Sequence, residues 1–110
     1  DILVLDSLAA LYSLATFNNP RSDIFFFFEK LRELDMSIFI ISEMLDPDKE
    51  LFGMFGVEDF LADGLIHLDL EKSDRRVNLF LSVFKMRKTN HDRSYFPLIF
   101  DGTKFEIVTE

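Results

Sequence analysis

The sequence has no cysteine and no tryptophan. Without cysteine there is neither a disulfide framework nor a thiolate metal site, and the composition fits a reducing, cytoplasmic setting. No apolar run reaches the roughly 20 residues that a membrane-spanning helix requires. The opening DILVLDSLAALYSLA is apolar, but it begins with an acid, holds Asp6 in its middle and lacks the basic start of a signal peptide. No internal repeat is visible, and no His/Glu pair has metal-ligand spacing. Neither Ser7 nor Ser42 sits in the nucleophile-elbow context of a Ser–His–Asp triad. No G-x-x-x-x-G-K-[ST] phosphate loop occurs anywhere in the chain. Positive charge is also in short supply: 12 Lys and Arg face 20 Asp and Glu, a net charge of −8. Long-range repulsion therefore disfavours a general binder of nucleic acid or of an anionic membrane.

What is present suits one domain, or part of one, in 110 residues that are 48% hydrophobic and include 14 Phe. ILVLD (residues 2–6) and MSIFIIS (36–42) read as strands buried on both faces of a parallel sheet. Between them SLAALYSLA reads as a short helix with Ser7 as N-cap, NNPRSD as a loop, and residues 21–35 as the main helix. Phe25, Phe28, Leu31 and Leu34 form the apolar stripe of that helix. Strand, helix, strand is the order of a right-handed βαβ unit. An acidic loop follows over 43–56, then a helical turn in VEDFLADG ended by Gly64. A third parallel strand is expected near 65–70. Antiparallel strands are expected near 77–87, 95–100 and 104–108, the last two joined by a DGT hairpin. The fold class is α/β with a mixed sheet. Residue 1 runs straight into a strand, so the chain is expected to be a fragment, or the rest of its domain to lie elsewhere. The run Phe25–Phe28 covers about 300° of a helix, more than one sheet face can bury. Some of these rings are expected to meet protein outside this chain.

Two constellations could carry chemistry. Asp6 closes a buried strand, and in open α/β sheets ligands bind beyond such carboxyl ends. A carboxylate there can hold Mg²⁺ directly or through water, or it can simply cap a helix. The second is FKMRKTNHD, an island of cations in an acidic chain. Alternation along a strand puts Lys85 and Arg87 on one face about 7 Å apart, a spacing that lets a point charge and a planar fork bracket one polyphosphate. The plain alternatives are a charged strand end that blunts a sheet edge and pairing with a local acid such as Asp92. His91 is the one acid–base candidate nearby. His67, in an apolar strand, is expected to be a satisfied, half-buried histidine.

Taken together, DILVLDSLAAL resembles the Walker B strand of RecA-superfamily ATPases. FIISE, FGVEDFLADGLIHL, KMRKTNH, YFPLIF and G-x-x-F-x-I follow the order and spacing of the C-terminal half of KaiC-like ATPases over essentially the whole chain. The resemblance implies a RecA-like (P-loop NTPase) partial core. It also implies rings, usually hexamers, with ATP between neighbouring subunits. It assigns Asp6 to Mg²⁺, with Ser7 beside it, and Ser42 and Glu43 to the γ-phosphate or the attacking water. Lys85 and Arg87 would reach the neighbour's phosphates, Arg87 as an arginine finger, and Thr89 and His91 would lie by the same nucleotide. Residues 1–110 would then be the C-terminal portion of one ATPase domain. The phosphate loop and the water-activating glutamate of the family lie before the Walker B strand, so this chain alone is not expected to hydrolyse ATP. The family commonly has Gly after KMR where this chain has Lys88, and Gly permits a left-handed turn that Lys adopts reluctantly. Two other readings share the fold. One is a DNA-handling recombinase or helicase core, against which the seven acids and single Lys of residues 43–63 argue. The other is a non-catalytic regulatory or scaffold module.

Overall fold

The apolar runs at the start become β1 (Ile2–Asp6) and β2 (Ser37–Ile41), paired in parallel with Asp6 opposite Ile41. The computed structural model describes residues 1–44 and 53–109, in two units, Asp1–Ala62 and Asp63–Glu110. Most of the expected acidic loop over 43–56 lies outside the described residues. Parallel pairing needs a crossover, supplied by α1 (Leu8–Leu14) and α2 (Pro20–Arg32). Ser7 caps α1, its Oγ accepting from the Ala10 N–H at 3.2 Å. Asn19 caps α2, and Pro20 opens it where a missing N–H costs no helical bond. The helix ends three residues before the expected 35, and Asp35 turns the chain at φ +53°.

The core of the first unit is Leu8, Tyr12, Ile24 and Phe28, with Leu5, Ile40, Phe27 and Leu61 packed around it. This corrects half of the expected stripe of α2. Ile24 and Phe28 face inward, Phe27 and Leu31 are half-buried, and Phe25 and Leu34 are exposed. The two stripes share Phe28 and Leu31 and differ by only about 20° of rotation; Ile24, three to four positions before Phe27 and Phe28, joins the buried face in place of Phe25 and Leu34. Phe26 is also outside, 62% exposed.

Edge-to-face contacts of Tyr12 with Phe17 and Phe55 bring a buried carboxylate with them. Glu58 is the first residue of α3 (Glu58–Leu61) and only 4% exposed. It accepts from the Tyr12 hydroxyl at 2.9 Å and from the N–H groups of Phe55 and Val57 at 3.2 and 3.1 Å. A Cβ on Gly53 would fall 2.2 Å from Glu58 Cδ, so that glycine is required by close approach. Burial, and then the neighbouring Glu58, push the Tyr12 phenol well above its ordinary value. The other face of the β1–β2 pair carries Ile2, Val4, Phe39 and Ile41, all exposed, where burial on both faces was expected.

The second unit is a four-stranded antiparallel meander in the order β3-β4-β5-β6. Its strands are β3 (Gly64–Ser73), β4 (Arg76–Met86), β5 (Phe96–Phe100) and β6 (Phe105–Ile107). The strand expected near 65–70 forms and is longer, but it pairs antiparallel with β4. The tight turn at Asp74–Arg75 folds it back, so among the described residues β1–β2 is the parallel pair. Gly64 does not cap α3, whose C-cap is Ala62. Instead it opens β3 opposite Met86, where a Cβ would sit 3.0 Å from the Met86 sulfur. The DGT hairpin forms, with Asp101 Oδ1 accepting from the N–H groups of Thr103 and Lys104 and Gly102 at φ +99°. Register places Ile66, Leu68, Leu70, Leu79, Leu81 and Leu98 on one sheet face. No helix among the described residues is long and apolar enough to cross a membrane.

Candidate functional site

In the first unit, parallel pairing sets the carboxyl ends of β1 and β2 side by side. Asp6 ends β1, and Ser42 and Glu43 follow β2 directly. All three are exposed there. The peptide between Asp6 and Ser7 is cis. Ser7 is engaged through its Oγ as the cap of α1. The described residues contain no group of three or more His, Cys, Asp or Glu able to hold a metal. That donor set does not suit an all-protein cage. It does suit Mg²⁺, which usually keeps several waters and takes one or two carboxylates plus substrate phosphates.

In the second unit, the end of β4 and the segment after it line an open cavity of about 480 Å³. Lys85, Arg87, Thr89 and His91, singled out from sequence, all line it, together with Arg93 and Tyr95. The last two were missed, although the signal was present: the lining polar residues recur at every second position from 85 to 95. Tyr95 packs edge-to-face with His67 at a centroid distance of 6.2 Å, and His67 is half-buried as expected. Lys88 adopts φ +61°, so the left-handed turn is made here by a lysine.

The acid that meets Arg87 is Asp63 rather than Asp92, with Arg87 Nη1 donating to Asp63 Oδ1 at 3.1 Å. Asp92 is occupied with Ser94, whose N–H donates to its Oδ1 at 2.8 Å. Hydrogen bonds from Ser94 hold this carboxyl below the usual range, with a smaller contribution from His91. His91 Nδ1 lies 3.3 Å from the Asp92 carbonyl oxygen. The result is a concave surface with three fixed cations, a histidine and a phenol ring, in a chain of net charge −8. Its chemistry suits a compact polyanion better than an extended one.

A family model described as "ATPase: KaiC" matches residues 1–110, the whole chain. The circadian clock protein KaiC3 of Synechocystis sp. is 32% identical over 94 residues, which cover 84% of this chain and 18% of that protein. Among solved structures, a KaiC-like protein of the hyperthermophilic archaeon Pyrococcus horikoshii superposes with a TM-score of 0.78 at 24% identity. The superposition covers 96% of this chain and 46% of that one, and it shows the shared fold. The chain thus spans under half the length of either protein.

Proposed function

The chain belongs to the KaiC ATPase family, and from that premise we propose that it supplies two sets of groups to ATP at the interface between subunits of a ring, a hexamer in the family pattern. Asp6, with Ser7 beside it, holds Mg²⁺ at the carboxyl end of β1, and Ser42 and Glu43 address the γ-phosphate or its attacking water. Lys85 and Arg87 reach the triphosphate of the neighbouring subunit, and Thr89 and His91 contact its ribose or phosphate side. The observation that carries this reading is the cavity at the end of β4, which gathers Lys85, Arg87, Thr89 and His91 in an otherwise acidic chain.

Arg87 presents a planar guanidinium that is always charged, suited to the charge that develops on a transferring phosphoryl group. Lys85 adds a point charge, which positions rather than orients. Mg²⁺, when bound, neutralises charge across the phosphate oxygens. Without a phosphate loop, residues 1–110 do not turn over ATP alone; the remainder of the ATPase domain supplies that loop. The absence of cysteine agrees with a cytoplasmic setting.

The test uses the full-length protein. Arg87→Ala is expected to lower ATP turnover by about 10³-fold or more, and Lys85→Ala to weaken nucleotide binding. Mixing either variant with a phosphate-loop variant should restore part of the activity, because the intact cation and the intact loop then meet across an interface. Unchanged turnover, nucleotide affinity and ring assembly in both variants would remove the proposal.

A further inference from the structure

Two segments that the sequence keeps about 24 positions apart, FLADG and KMR, meet at the end of the β3–β4 ladder, where Asp63 faces Arg87 beside the Gly64–Met86 pair. The Arg87 N–H donates to the Asp63 carbonyl at 2.8 Å, and Arg87 Nη1 donates to Asp63 Oδ1 at 3.1 Å. Gly64 and Met86 are the last paired residues at this end of the β3–β4 ladder. The main-chain bond therefore extends the ladder by one step and fixes where Arg87 leaves the sheet. The side-chain bond then fixes which way its guanidinium faces. Gly64 leaves room for the approach, since a Cβ there would crowd the Met86 sulfur.

We propose that Asp63 is a positioning residue for Arg87, holding the plane of its guanidinium toward the β4-end cavity. This rests on the reading of Arg87 as the phosphate-facing cation. The pair is exposed, with side chains 73% and 42% accessible for Asp63 and Arg87, so it adds little to stability. Its consequence is geometric. An arginine side chain has several rotatable bonds, and a guanidinium that wanders loses the alignment on which phosphoryl-transfer catalysis depends. One carboxylate oxygen engages one of the five N–H donors of the fork. The same carboxylate also places a negative charge beside the anion site, so orientation is gained at some loss of affinity.

The experiment is a double-mutant cycle on the full-length protein, pairing Asp63→Asn with Arg87→Ala. Asp63→Asn keeps the side-chain shape and the main-chain bond while removing the charge. It is expected to lower kcat about 10-fold with KM unchanged or lower and the melting temperature unchanged. In the Arg87→Ala background the same substitution is expected to do nothing further, because residues acting as one unit are not additive. An equal fall in both backgrounds, or a lowered melting temperature, would make Asp63 merely structural. If Asp63→Asn is silent while Arg87→Ala is impaired, the positioning role is lost and the trans-cation reading stands. If Arg87→Ala is itself silent, both fall.

Discussion

Lys88 shows how a side chain can sit against its backbone preference. A left-handed residue other than Gly costs roughly 1–2 kcal/mol, and Lys88 holds φ +61°. Lys88→Gly removes that strain but adds unfolded-state entropy worth about 0.4–1 kcal/mol. The expected outcome is a gain of up to about 1.6 kcal/mol, read as a higher melting temperature, whereas Lys88→Val should lower it because a β-branched residue is a genuine outlier at positive φ. Glu58 is the opposite case, an ionisable residue deeply embedded and satisfied. Glu58→Ala strands a buried hydroxyl and two N–H groups, each worth about 1–3 kcal/mol, so a loss of at least about 2 kcal/mol is expected in urea denaturation. Gly53→Ala should produce a comparable loss by driving a Cβ into the same carboxylate. The raised Tyr12 phenol gives a pH signature. Its folded pKa lies above the unfolded value near 10, so above that pH the unfolded chain releases the proton more readily. The contribution is complete below about pH 10 and declines as pH rises beyond it. Tyr12→Phe should flatten that alkaline fall in stability. None of this cage was legible in the sequence, where Glu58 is one acid among seven in an acidic stretch; its burial depends on α1 and α3 meeting.

Among elements, α2 is the clearest case of a stripe read half correctly. Its existence, its start at the Asn–Pro loop and its apolar character were all legible. Phe28 and Leu31 were legible as inward positions, but Ile24 and Phe27 in place of Phe25 and Leu34 were not, because the Phe25–Phe28 run offers apolar side chains around most of the helix. Phe28→Ala should cost about 3–5 kcal/mol. Phe26→Ser should change the unfolding free energy by no more than about 0.5 kcal/mol, and any effect on ring assembly would identify Phe26 with an intersubunit contact. Strands were legible to within one residue from their β-branched and aromatic runs, except β3, which runs three residues past its expected end. The partner of β3 was not, since pairing depends on where the Asp74–Arg75 turn sends the chain rather than on composition.

Across the whole molecule, the buried hydrophobic core among the described residues is confined to Leu8, Tyr12, Ile24 and Phe28, all in the first unit. The β1–β2 pair leaves Ile2, Val4, Phe39 and Ile41 uncovered, and Ile66, Leu68 and Leu70 are exposed on β3. A single sheet layer must bury its apolar face against something to be stable. Residues 1–110 produced alone are therefore expected to self-associate, seen as a mass above the monomer in light scattering coupled to gel filtration. Replacing Val4 and Phe39 with polar residues should reduce it. A monomer with a cooperative melt would overturn this expectation.

The amino-acid sequence by itself determined the α/β class, the order of strands and helices, and the island of cations at Lys85–His91. Each follows from local chemistry: hydrophobic period, capping residues and charge. Tertiary structure alone decided that Arg87 meets Asp63 rather than Asp92, that Glu58 is buried against Tyr12, and that Arg93 and Tyr95 share the cavity with the cations. Those outcomes join residues distant along the chain or fix the path of a turn. Strand register and helix rotation set them, and local composition does not encode either.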